Sequence, residues 1–249
     1  MTDSARPDEG DRVPLEPPSA ADSVSAALGG AARRAGLDPS QHASTGAAVW
    51  AAMGGVRGIL ESVLPSLAFV VLFTLTNDPE TRQGNLPLSL GVSVGLALVF
   101  TIARLIAKSP PSAAIGGLVA TVAAALLALF TGRGQDNFVF GFFTNGAYGA
   151  AFLVSVLVGW PLIGLIAGYL VGEGTAWRRD KRKRRVYALL SLGWAGLFAA
   201  RLIVQLPLYF AGDVTALGTL KIVMGLPLFA PMLAVTWLAV RALSPRREA

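Results

Sequence analysis

The chain has no cysteine, a single histidine (His42) and few charges: only 14% of its 249 residues are Asp, Glu, Lys or Arg. Each shortage closes off a class of function. Without cysteine there is no disulfide framework, no thiolate metal site and no cysteine nucleophile. One histidine cannot supply a zinc cluster or a pair of haem ligands. The charged fraction is close to half of the roughly 25% typical of a soluble domain, too little polar surface to cover a fold in water. The expected solvent is therefore lipid. HExxH and P-loop patterns are missing and no GxSxG elbow is present, since Gly91-Val-Ser-Val-Gly95 lies inside an apolar span and not at a strand-to-helix turn; Ser62, Ser66, Ser93 and Ser155 have no evident base beside them. No catalytic residue, metal ligand or cofactor is assigned, and the chain is not expected to be an enzyme.

What is present is apolar: 53% of the residues are hydrophobic, and the formal charge is +6. Residues 1–52 form a polar head, rich in Ala, Ser, Asp, Pro and Gly and expected to be largely disordered. Its early acidic residues Asp3, Asp8, Glu9 and Asp11 argue against a signal peptide. Residues 53–243 hold six stretches of the length a bilayer core demands, about 20 residues each: 58–75, 86–107, 113–131, 138–158, 186–206 and 217–240. Hydrocarbon satisfies no backbone group, so such runs become helices, and none alternates as a barrel strand would. The expected fold is all-α: a polytopic membrane protein of six transmembrane helices. Pro65, Pro227 and Pro231 are expected to interrupt their spans.

A seventh apolar stretch, 161–171, rises only about 16 Å as a helix, half a crossing. It is read as interfacial or re-entrant, with the bend at Gly159, Trp160 and Pro161. Six spans collect Arg57, Arg104, Lys108, Arg241 and the basic block 178–185 on one side, leaving Arg82 and Arg133 opposite. The excess of basic residues on cytoplasmic loops then puts both termini, including the tail 244–249, in the cytoplasm of a cell-membrane protein. The basic block itself is read first as a topology signal that touches anionic lipid headgroups. It has no aromatic platform for nucleic acid.

Ionisable groups inside a span are costly and normally face a bundle interior, a cavity or the headgroups. Arg201 lies deep in the fifth span, with Gln205 one turn later. It is expected either to snorkel or to meet an anion, Asp136 or Asp213. Lys221 adds a second cation, and Asn145 in the fourth span sits between Gly141 and Gly149 on one face. These four, Asn145, Arg201, Gln205 and Lys221, form the candidate polar site. Arg57 and Glu61 make an i,i+4 pair at the inner start of the first span, read as an anchor. Residues 103–110 and 200–207 share Ala-Arg-Leu-Ile and a closing Pro, the trace of an inverted repeat or of chance in a biased composition.

The order of Gly54-Gly-Val-Arg-Gly58, Thr131-Gly-Arg-Gly-Gln-Asp-Asn137, Asn145-Gly-Ala-Tyr148 and Trp160-Pro-Leu-Ile-Gly164 resembles the actinobacterial membrane proteins grouped as DUF3159. Trp177-Arg-Arg-Asp180, Ala200-Arg-Leu-Ile-Val-Gln-Leu-Pro-Leu-Tyr209 and Met224-Gly-Leu-Pro227 extend the resemblance. More distantly, Asn145 and Pro161-Leu-Ile163 are similar to the bacterial intracellular septation protein A family. That resemblance implies a role in septation or the cell envelope, exerted through helix-bundle contacts with envelope proteins or a second copy of the chain. The alternative is a small transporter or a protein that handles lipids or anions.

Overall fold

The computed structural model describes residues 55–78, 84–107 and 112–243. The head expected over 1–52, with His42, lies outside the described residues, as do Arg82, Lys108, the tail 244–249 and the side chain of Arg57. All regular structure among the described residues is helical. Helix α1 is Gly55–Leu75, α2 Leu86–Ile106 and α3 Ser112–Thr131. A single 3-10 turn, Gly134–Phe138, leads into α4, Val139–Leu157. Then come α5, Leu162–Val171, a second 3-10 turn, Ala176–Arg179, α6, Lys181–Phe210, α7, Val214–Val223, and α8, Leu226–Leu243.

Among the described residues five segments are long and apolar enough to cross a membrane: Gly58–Leu75, Leu86–Ile106, Gly134–Leu157, Lys181–Phe210 and Val214–Leu243, the last counted across a break. The third expected span corresponds to α3, whose apolar stretch Ile115–Thr131 is shorter. Short polar side chains start the helices where the first amides need acceptors. Asn85 Oδ1 accepts from the Leu88 amide at 3.1 Å, Asp180 Oδ1 from Arg182 at 2.7 Å, and Asp213 Oδ1 from Ala216 at 2.9 Å.

Three expectations need correction. Pro65 and Pro231 do not interrupt anything: α1 and α8 run through them, since neighbouring helices can support a proline inside a membrane helix. The last span is instead divided at Met224 and Gly225, with Pro227 in the first turn of α8, where its missing N–H is not needed. Residues 181–185 are not loop. They are the first turns of α6, which at 30 residues rises about 45 Å, longer than the roughly 30 Å hydrocarbon core.

Two apolar cores hold the helices together. The first packs Phe69, Val70 and Phe73 of α1 with Leu90 of α2, Ala125 and Ala128 of α3, Phe138, and Val214 and Leu217 of α7. The second gathers α5, Trp177 and the first half of α6, with Phe229 and Met232 of α8 packed against it. Glu61 of α1 and Arg104 of α2 meet at 2.5 Å and tie that helix pair across its interface. The cross-helix partner of Glu61 is thus 43 residues away, a contact the local i,i+4 spacing did not reveal.

Helix α5 is a half-length element, as its eleven-residue apolar run implied. Gly159, at φ +73°, turns the chain, and Pro161 precedes the helix. The hydroxyls of Ser155 and Ser191 accept from the Leu162 and Ile163 amides at 3.1 and 3.2 Å. At its far end Gly172, at φ +79°, reverses direction, and the Gly168 carbonyl accepts from Glu173 and Gly174. Trp177, 1% exposed, lies flat over Gly164 and Gly168, where a Cβ would collide with its indole. The two glycines thus make the seat for the tryptophan.

Candidate functional site

The polar residues of the membrane domain converge near the break between α7 and α8. On α6, Arg201, Gln205 and Tyr209 recur every fourth residue and share one face. On α4, Asn145 anchors its own amide by donating from Nδ2 to the Gly141 carbonyl at 2.6 Å. That fixes Oδ1 toward α6, where it accepts from Arg201 Nη1 at 3.4 Å. Gly149, one turn along α4, lets the helices approach: a Cβ there would stand 3.3 Å from Phe198 Cβ. A Cβ added at Gly141 would meet nothing within 4 Å among the described residues, so that glycine is not needed for a close helix contact there.

Arg201 pairs with neither Asp136 nor Asp213, the carboxylates that its position made candidates. Asp213 is occupied as the cap of α7. Asp136, 4% exposed, accepts from the Tyr209 hydroxyl at 2.7 Å and faces Arg133 at 4.0 Å. Tyr209 is further fixed edge-on to Phe142, ring centroids 5.4 Å apart, and the Arg133 guanidinium lies 5.7 Å from its ring centroid. With its amide oriented to face Arg133, the Gln135 oxygen accepts from Nε at 3.0 Å and Nη2 at 3.1 Å. Asp136, Arg133, Gln135 and Tyr209 form a closed polar cap adjoining the α6 face. Tyr209 and Gln135 were not expected as members of it; the signal in the sequence was a polar Gly-Gln-Asp-Asn segment and a tyrosine in the last turn of α6.

Beneath this cap the charge is unbalanced. Lys221 of α7 points its ammonium at the Phe138 ring, 5.3 Å from the centroid, and its charge is repelled by that of Arg201. The Arg201 guanidinium also faces the helix break, its Nη2 being 3.8 Å from where a Gly225 Cβ would lie. Among the described residues neither cation forms an ion pair. Gln205 is 4% exposed, and its Nε2 has no hydrogen-bond partner; Arg201 Nε is likewise buried and unpartnered. A buried donor without an acceptor costs about 1–3 kcal/mol. Two cations in a low-dielectric setting add to that cost. Chemically, the arrangement suits an oxygen acceptor, and its two cations favour one that carries negative charge.

The structure therefore brings Asn145, Arg201, Gln205 and Lys221 into one neighbourhood. Glu61 belongs elsewhere, at the α1–α2 interface with Arg104, and the side chain of Arg57, its expected partner, lies outside the described residues. No group of three or more potential metal ligands occurs among the described residues.

A family model described as a protein of unknown function, DUF3159, matches residues 53–247. No curated protein matches the chain, and no solved structure does.

Proposed function

Because the chain belongs to the DUF3159 family, whose function is unknown, its activity has to be read from the site, and we infer that it is a non-enzymatic membrane protein that binds an anion. The ligand is a phosphate-like group held by Arg201 and Lys221, with Gln205 Nε2 donating to it and Asn145 steering the guanidinium. The observation that carries this reading is a pair of cations with no carboxylate partner among the described residues, beside two buried, unpartnered N–H donors. The broken helix supports it. Helix α7 rises about 15 Å, half the core thickness, and interrupted helices of this kind line binding sites in transporters.

In this reading the chain crosses the cell membrane six times with both termini cytoplasmic. The basic start of α6 and Arg241 then lie inside, and Arg133 with the polar cap outside. The site then lies in the outer half of the membrane, next to the polar cap. The setting we assign is the cell envelope, septation included, on the strength of the Asn145 and Pro161-Leu-Ile163 resemblance. A lipid headgroup and a soluble anion present the same oxygens, so the test uses both.

The purified full chain in neutral detergent should bind dihexanoyl phosphatidylglycerol or inorganic phosphate with about one Arg201-dependent equivalent, measured by titration calorimetry. Arg201→Gln should weaken binding at least tenfold while the protein stays monodisperse. Saturation by the lipid alone identifies a headgroup; saturation by phosphate identifies a soluble anion. Binding of neither, or equal binding by the Arg201→Gln variant, would refute the reading.

A further inference from the structure

At the opposite end of α6 the chain carries a second concave, positively charged surface. Seven of the eight residues 178–185 are basic, but the structure sorts them into different roles. Arg178 lays its guanidinium 3.6 Å over the Trp160 ring. Lys183 is neutralised by Glu173, with both carboxylate oxygens at 2.7 Å from Nζ. Asp180 spends its side chain capping the helix. Lys181, Arg182, Arg184 and Arg185 form no ion pair among the described residues, and all four line one groove of about 770 Å³. Its remaining wall is uncharged and includes Val156 at the end of α4, Pro161 before α5, and Ala188 of α6.

We propose that this groove is a binding site for one anionic diacyl phospholipid of the inner leaflet. Charge complementarity selects the headgroup, since four uncompensated cations surround a space that holds no acid. The apolar wall supplies what a soluble polyanion would not need: a surface along which the first methylenes of an acyl chain can run. Depth agrees. An α6 of about 45 Å matches a full bilayer with its headgroup layers, so with Gln205 and Tyr209 near the outer face the first turns lie at phosphate level. Trp160, 42% exposed beside the groove, is the residue type that settles in that layer. The proposal is independent of the ligand assigned to Arg201, which sits at the other end of the helix.

Native mass spectrometry of the full chain carrying Arg201→Gln, which disables the other anion site, released from detergent with defined lipids, tests it. The expected result is retention of one dioleoyl phosphatidylglycerol, at least tenfold over dioleoyl phosphatidylcholine. Lys181→Gln/Arg184→Gln/Arg185→Gln should abolish that preference, whereas the charge-matched Arg179→Gln/Arg241→Gln/Arg246→Gln variant should keep it. Ala188→Trp, which fills the groove without changing charge, should also lose the lipid and serves if the triple variant does not fold. Equal loss in the two triple variants would show diffuse attraction and overturn the proposal. Displacement of the lipid by an equal concentration of water-soluble glycerophosphoglycerol, or of a phosphopeptide or short RNA, would overturn it too. Restoring Arg201 should leave the groove-dependent retention unchanged.

Discussion

Replacing Tyr209 by phenylalanine isolates one bond in the polar cap. The ring stays, so its edge-on contact with Phe142 and its place beside Arg133 are kept. What is lost is the 2.7 Å bond from the hydroxyl to Asp136 Oδ1. Asp136 is 4% exposed, and its other neighbour, Arg133, stands at 4.0 Å with half its side chain in the open. That screened ion pair is worth little, so the tyrosine carries most of the stabilisation of the carboxylate. A hydrogen bond to a charged group contributes about 1.5–3 kcal/mol. At about 2–4 °C per kcal/mol for a chain of this size, the melting temperature in detergent should fall by about 3–12 °C. Asp136→Asn keeps an acceptor for the hydroxyl and should cost less than Asp136→Ala. A double-mutant cycle of Tyr209→Phe with Asp136→Ala should give a coupling of about 1 kcal/mol or more. A shift below about 1 °C for Tyr209→Phe, or strictly additive losses in the cycle, would refute the view that this bond closes the cap.

Two further outcomes follow from the packing. Trp177→Ala should remove the indole seated on Gly164 and Gly168 and cost about 3–5 kcal/mol by thermal unfolding, with protease cleavage appearing between α5 and α6. Glu61→Gln should leave Arg104 facing an amide and cost about 1–3 kcal/mol by the same thermal unfolding.

Much of the helical architecture was legible because hydrocarbon demands length and continuity, both of which are written along the chain. The boundaries expected for the first four spans match helices α1 to α4 within three residues. The half-length α5 followed from counting its residues. The polar site was legible as a set, since Arg201 and Gln205 are costly wherever they face. Partnership was not legible. In lipid a leucine facing a neighbouring helix and one facing an acyl chain look alike, so hydropathy does not say which faces meet. Arg104 with Glu61 and Tyr209 with Asp136 depend on such contacts, and so does Trp177 on its two glycines. The break at Met224 and Gly225 was misplaced for a related reason. Three prolines signalled an interruption equally, and only packing shows that α1 and α8 absorb theirs.

The claim at the centre of this account is that the field around Arg201 and Lys221 attracts anions arriving from outside the cell. The natural absence of cysteine permits a clean measurement: the reaction rate of Lys221→Cys, in sealed right-side-out vesicles, with negatively and positively charged methanethiosulfonate reagents of equal size. The negative reagent, added externally, should react faster by a factor on the order of ten, and Arg201→Gln should erase the difference. Equal rates, preference for the cationic reagent, or reaction only from the cytoplasmic side would contradict it.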